Sequence, residues 1–104
     1  MKAIFTSDGK KLNVELSGEI DHHTAKKLMD NIQLKIETEL PRDCRMDMTG
    51  VTFMDSSGIA VVLKTYRLLS GMGGRLWVEN VPQQPMHVFD AAGIDRIIRI
   101  TALV

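Results

Sequence analysis

The sequence predicts an α/β fold with a mixed, mostly parallel sheet flanked by helices. Three observations carry that expectation. Two short apolar segments open the chain on either side of Asp8-Gly9. After them, runs of strand length alternate with amphipathic stretches of helical period. The glycines and prolines fall between these segments, as punctuation does. Alternation of strand and helix calls for right-handed crossovers and parallel strands. The expected order is β-β-α-β-α-β-α-β in one domain over 1–104, and the pattern leaves open whether the helices lie on one face of the sheet or both.

The elements follow in turn. Ile4 to Thr6 is a short strand, and Ser7-Asp8-Gly9-Lys10 joins it as a hairpin to a second strand. In that second strand Leu12, Val14 and Leu16 alternate with Asn13, Glu15 and Ser17, the period of two of a half-buried strand. Thr24 is placed to cap the next helix, with Asp21 just upstream near its positive end. Ala25, Leu28, Met29, Ile32 and Ile36 then recur at helical spacing to about Leu40, where Pro41 stops the helix. Cys44, Met46 and Met48 alternate with Arg45 and Asp47 in a third strand, and Gly50 to Gly58 reads as a loop with an apolar run at Val51–Met54. Ile59 to Leu63, Tyr66, Leu69 and Met72 form a second helix, stopped by Gly71, Gly73 and Gly74. Leu76 to Val78 is a fourth strand, Pro85 to Ala92 a short helix with Gly93 as its cap, and Ile97, Ile98 and Ile100 a last strand.

Composition narrows the function. Thirteen basic and thirteen acidic residues cancel, so no electrostatic footprint for nucleic acid or anionic lipid is present. The single cysteine, Cys44, permits no internal disulfide, and no apolar run approaches the roughly 20 residues of a membrane span. The expected compartment is the reducing cytoplasm. Seven methionines read first as irregular core filling.

The chemistry concentrates at Asp55-Ser56-Ser57-Gly58, between a strand and a helix, which is the usual functional edge of an α/β sheet. Two readings fit locally. Asp55 or Ser56 simply caps the helix, its oxygen accepting from unpaired N–H groups. Alternatively, a serine hydroxyl takes a phosphoryl group, which free N–H groups and the helix dipole favour at such a terminus. Gly58 lets another backbone approach closely.

The segment Asp47-Met48-Thr49-Gly50-Val51-Thr52-Phe53-Met54-Asp55-Ser56-Ser57-Gly58 resembles the signature of STAS domains, the anti-sigma-factor antagonists. Gly18-Glu19-Ile20-Asp21-His22-His23-Thr24-Ala25, and Val88-Phe89-Asp90-Ala91-Ala92-Gly93-Ile94 with Ile97-Ile98-Arg99, resemble the SpoIIAA-like subgroup. The likeness spans nearly the whole chain in the same order. It implies a non-enzymatic partner-switching module that needs no cofactor or metal. The unphosphorylated form would bind an anti-sigma factor that is also a serine kinase, releasing a sigma factor. ATP-dependent phosphorylation of the first serine after the motif aspartate, here Ser56, would switch it off, and a phosphatase would reset it. The same resemblance implies a docking surface at Asp55, Ser57, Gly58 and Ile59, joined by Asp21 and Thr24. SpoIIAA-like proteins usually continue into another C-terminal helix. The chain stops at Val104, so apolar sheet surface is expected to lie uncovered, with a monomer or weak dimer as the expected state. Arg45 occupies a strand position where relatives are usually apolar, and reads as edge-facing or snorkelling.

Other classes compete. His22-His23 suggests a phosphocarrier, but neighbours on a helix point apart and do not readily chelate one ion, and Cys44 and His87 add no zinc spacing. A receiver domain would need an acidic pair after its first strand, absent near Ile4 and Leu16. No Gly-x-Ser-x-Gly elbow surrounds Ser56, and Gly71-Met72-Gly73-Gly74 lacks the lysine of a P-loop. A STAS scaffold without a phospho-switch is the remaining alternative. A serine at position 56 favours the switch, because a scaffold could carry any small residue there.

Overall fold

The computed structural model describes residues 1–104. The elements are β1 (Lys2–Asp8), β2 (Lys11–Ile20), α1 (His22–Glu39), β3 (Asp43–Met54), α2 (Ser56–Gly71), β4 (Arg75–Val81), α3 (Gln83–Ala92), a 3-10 turn (Ile94–Arg96) and β5 (Arg99–Ala102). The expected α/β order is therefore present. One five-stranded sheet runs β1-β2-β3-β4-β5, with β1 antiparallel to β2 and every later pair parallel.

That strand order decides where the helices go. Each crossover moves one strand further in the same direction, and right-handed crossovers that never reverse put every helix on the same face. The buried strand residues agree: Leu12, Val14, Leu16, Cys44, Met46, Met48, Leu76 and Val78 point to the covered face. Leu28, Ile32 and Ile36 of α1, Val61, Val62 and Leu69 of α2, and Phe89 of α3 meet them there. Fully burying each such side chain contributes about 1.5–3 kcal/mol. Burial pushes the Cys44 thiol up to about 12, which leaves it a small inert apolar residue.

The other sheet face has no helical cover; its centre is polar, while Ile4 on β1 leaves an apolar side chain exposed there. The alternation that buries Met46 turns Asn13, Arg45, Asp47, Trp77 and Glu79 outward. Arg45 is not at an edge: it lies on the central strand, where Nε donates to Glu79 Oε1 at 2.9 Å and Nη2 to Asp47 Oδ2 at 3.3 Å. The Trp77 indole N–H donates to the other oxygen of Glu79, and Lys11 and Arg99 each stand 5.5 Å from the Trp77 ring centre. Ion pairs and cations over an aromatic ring thus cover a face that would otherwise need a second layer.

Several boundaries differ from the sequence reading. β1 is longer than Ile4–Thr6, and only Gly9 and Lys10 remain in the turn. α3 begins at Gln83, two residues before Pro85. Ile97 and Ile98 follow the 3-10 turn and precede β5; Ile98 is buried while Ile97 is exposed, so continuous apolarity there reflects packing of a turn, not a strand. Leu40, not a glycine, takes the left-handed position that ends α1, with φ +47°. The largest difference is at Gly50–Gly58, expected as a loop. β3 instead continues through Gly50 to Met54 and α2 starts at Ser56, so the connection is Asp55 alone. The polar residues Thr49 and Thr52 disguise the strand because this stretch extends beyond β4, where its outer side meets solvent.

Candidate functional site

β2 and β3 end side by side, with Ile20 paired to Met54. Two irregularities in that pairing insert extra β3 residues on either side of Gly18 of β2, whose φ of +87° requires a residue without a side chain. The two strand ends therefore deliver Asp21 and Asp55 to one edge of the sheet, tied by the Asp55 N–H donating to Ile20 C=O at 3.2 Å. α1 and α2 start there. The structure thus brings together all the residues singled out at the start of both helices: Asp21, Thr24, Asp55, Ser56, Ser57, Gly58 and Ile59.

Asp21, not Thr24, caps α1. Its Oδ1 accepts from the N–H groups of His23 and Thr24, both at 3.0 Å, and the Thr24 hydroxyl accepts from the Asp21 N–H at 3.0 Å. This is a reciprocal capping box, with threonine in the third helical position. The backbone N–H of Thr24 holds the Asp21 carboxyl below its ordinary value, with help from the Thr24 hydroxyl, the His23 N–H and the His23 charge. The threonine hydroxyl also donates to Glu19 C=O at 3.2 Å, so its lone pairs and proton are engaged inside the loop.

Asp55 caps α2 more sparingly, accepting only from the Ser57 N–H at 2.8 Å. The Gly58 N–H donates to the Asp55 backbone carbonyl at 3.0 Å. Neither the Ser56 nor the Ser57 hydroxyl makes a hydrogen bond within the protein. Ser56 is exposed, Ser57 half-buried, and Gly58 and Ile59 buried. A Cβ on Gly58 would fall inside the Met54 side chain, so glycine here allows α2 to sit directly on the end of β3.

Two grooves flank this start. One runs between α1 and α2, lined by His22, Met29, Ser57, Ala60 and Lys64. The other lies between α2 and α3, lined by Ser56, Ile59, Gln84, His87 and Val88. His22 and His23 are exposed, with ring centres 6.0 Å apart and edge to face. Gln84, which no local motif marks, joins the site from α3: its carboxamide bonds both the N–H and the C=O of Met54, at 2.8 and 2.9 Å. A contact across thirty positions leaves no trace in a sequence pattern.

A single layer of helices on a sheet of this order, with an aspartate-capped serine at the end of the central strand, defines a class, and comparison with known proteins gives it its family. The STAS domain model matches residues 4–104, and the chain belongs to that family. It is 33% identical over 91 residues to the anti-sigma-B factor antagonist of Bacillus subtilis, covering 88% of this chain and 82% of that one. It is likewise 33% identical over 93 residues to the anti-sigma F factor antagonist of Paenibacillus polymyxa, covering 86% and 76%. Among solved structures it is similar to SpoIIAA in two forms. The unphosphorylated anti-sigma factor antagonist superposes with a TM-score of 0.84 at 24% identity, over 95% of this chain and 87% of that one, and shares its fold. The phosphorylated Bacillus cell fate determinant superposes with a TM-score of 0.74 at 26% identity, over 95% and 90%. No helix is long and apolar enough to cross a membrane.

Proposed function

We propose that this chain is a cytoplasmic anti-sigma factor antagonist. It binds an anti-sigma factor that is also a serine kinase, releases a sigma factor, and is switched off when Ser56 is phosphorylated. The relatives' names support the antagonist role, and the two forms of SpoIIAA support a phosphorylation switch on this fold. The observation that carries Ser56 in particular is its exposed hydroxyl, free of internal hydrogen bonds, at the first position of α2.

The physical effect of the switch follows from that position. A phosphoryl group adds a charge of roughly −1.5 to −2 and three acceptor oxygens. The start of α2 offers it the positive end of the helix dipole, while the neighbouring Asp55 carboxylate adds like charge and already takes the Ser57 N–H. No refolding is required. A surface built of a small hydroxyl, Ser57, Gly58 and Ile59 becomes bulky and anionic, and a partner fitted to it meets both steric and charge conflict. Asp21 and Thr24 form the second part of the docking edge. The chain itself performs no chemistry in this reading: the kinase supplies ATP and a separate phosphatase removes the group.

The test is intact mass after incubation with Mg-ATP and the anti-sigma-B factor of Bacillus subtilis or the anti-sigma F factor of Paenibacillus polymyxa, beside Ser56→Ala. One phosphoryl gain in the wild type and none in the variant is the expected result. Ser56→Asp, which carries part of the phosphate's charge, should weaken binding about a hundredfold, near 2.7 kcal/mol. Undiminished binding by Ser56→Asp would overturn the switch. Binding without any mass gain would leave a STAS scaffold, and an acid-labile gain that survives Ser56→Ala would point to His22 or His23 as a phosphocarrier.

A further inference from the structure

We propose that Gln84 is a positioning residue for the switch: it holds the end of β3, and through it the Asp55–Ser57 turn, in the form a partner reads. The inference rests on Ser56 as the switch residue and adds a second element, α3, to its control.

β3 is longer than the strand beside it. Its pairing with β4 ends at Asp47 with Glu79, while its pairing with β2 continues to Met54 with Ile20. Along the overhang, backbone groups that point toward β2 find partners there, as Asp55 N–H does on Ile20 C=O. The groups of Met54 point the opposite way, where no strand remains. Met54 is fully buried, so its N–H and C=O cannot turn to water. Gln84 takes the place of the missing strand. Its Oε1 accepts from Met54 N–H at 2.8 Å and its Nε2 donates to Met54 C=O at 2.9 Å, the pair of bonds that one residue of an antiparallel neighbour would make.

The clamp has a short path to Ser56. The Met54 side chain fills the space beneath Gly58, in the first turn of α2. The next residue, Asp55, caps that turn through Ser57 N–H. Gln84 lies in the first turn of α3, and it lines the groove between α2 and α3 together with Ser56, Ile59 and His87. α3 begins at Gln83 behind Pro82, which makes no side-chain cap bond, and the Gln84 bonds tie its first turn to the end of β3. Any partner that leans on α3 therefore acts on the backbone two residues before Ser56.

The experiment compares wild type, Gln84→Met, which keeps the length and loses both bonds, and Gln84→Glu, which keeps the acceptor and at neutral pH loses the donor. Amide hydrogen exchange is read residue by residue, and Ser56 phosphorylation is followed with the anti-sigma-B factor of Bacillus subtilis and Mg-ATP. In Gln84→Met, exchange at Met54 and Ser57 should quicken about tenfold or more while Val14 and Met46 keep their protection. The KM for phosphorylation should rise about tenfold with kcat within about twofold, the signature of lost docking geometry, and Gln84→Glu should fall between the two. Unchanged exchange at Met54 and Ser57 overturns the proposal, as does quickened exchange with an unchanged KM. If Gln84→Met loses protection throughout, Gln84→Glu decides by the same criteria. If the wild type is neither bound nor phosphorylated, the proposed function falls, and exchange at Ser57 alone then upholds or overturns the clamp.

Discussion

Helices α1 and α2 rise from adjacent strand ends, each behind an aspartate, and begin differently. In α1 the cap is closed: Asp21 takes two backbone N–H groups, Thr24 returns a hydrogen bond, and the threonine hydroxyl proton lies within reach of both Glu19 C=O and Asp21 Oδ1. In α2 the corresponding third position is Gly58, which has no side chain to return a bond, and Asp55 takes one N–H group only. Two serine hydroxyls are left uncommitted beside it. The same aspartate cap therefore serves rigidity in one helix and availability in the other. What separates them is the third residue, and Met54 dictates that residue by filling the space a side chain would need.

The strongest way to break the contrast is to give α2 the residue that closes α1. On propensity alone, Gly58→Ala gains up to about 1 kcal/mol in a helix. Inside this packing it forces the fully buried Met54 side chain out of its rotamer, a cost of about 1–3 kcal/mol for overpacking. A net loss is expected, larger for Gly58→Thr despite its hydroxyl, and urea denaturation measures both. A stabilised Gly58→Thr would show that α2 tolerates a closed cap and that the open one has another origin.

A smaller effect sharpens the comparison from the aspartate side. Asp55→Ala frees one N–H group and should cost about 0.5–1 kcal/mol, the lower part of the range for a lost cap. Asp21→Ala frees two and strands the Thr24 hydroxyl, so its urea midpoint should fall further than that of Asp55→Ala. Equal midpoints would mean that the reciprocal bond contributes nothing. Ser56→Ala, in contrast, removes an exposed hydroxyl with no partner and should leave the midpoint unchanged.

What the sequence disclosed follows the same division between local and distant causes. Periodicity revealed α1 and the α2 core because both signals lie within a few residues, and the Asp55–Gly58 cluster marks itself by helix-start chemistry. Sequence alone does not separate Asp21 from Thr24 as the cap of α1, since aspartate and threonine three apart both satisfy the cap rule and only the reciprocal geometry ranks them. The length of β3 was hidden because Gly50–Met54 pairs on one side only, which removes the alternation that a flanked strand shows. Gln84 was invisible: an exposed-looking glutamine in a short helix has no local reason to matter until the overhang of β3 is known. Arg45 similarly gained its explanation only when β4 brought Glu79 beside it.

The mildest expected effect is in the response to acid, and it isolates the closed cap. Asp21 has its folded carboxyl held below the ordinary aspartate value, chiefly by Thr24 N–H. A carboxylate with a depressed folded value stabilises the protein fully above its unfolded value and loses that contribution as pH falls through the folded one. The window for Asp21 therefore opens near pH 4 and extends downward. Two other carboxylates complicate a simple acid titration. Glu79 is lowered mainly by its bond to Arg45; for Asp47 burial is the largest single influence and raises it, but bonds from Thr49 and Asn80 together with the Arg45 charge lower it on balance. Asp21→Asn removes only the first contribution, because asparagine caps nearly as well without titrating, while the Arg45 network on the opposite sheet face is untouched. Between pH 7 and pH 3 the urea midpoint of the wild type should fall more than that of Asp21→Asn. If the two fall in parallel, the acid sensitivity resides in the open-face network, and the closed cap of α1 holds by its threonine rather than by the charge of its aspartate.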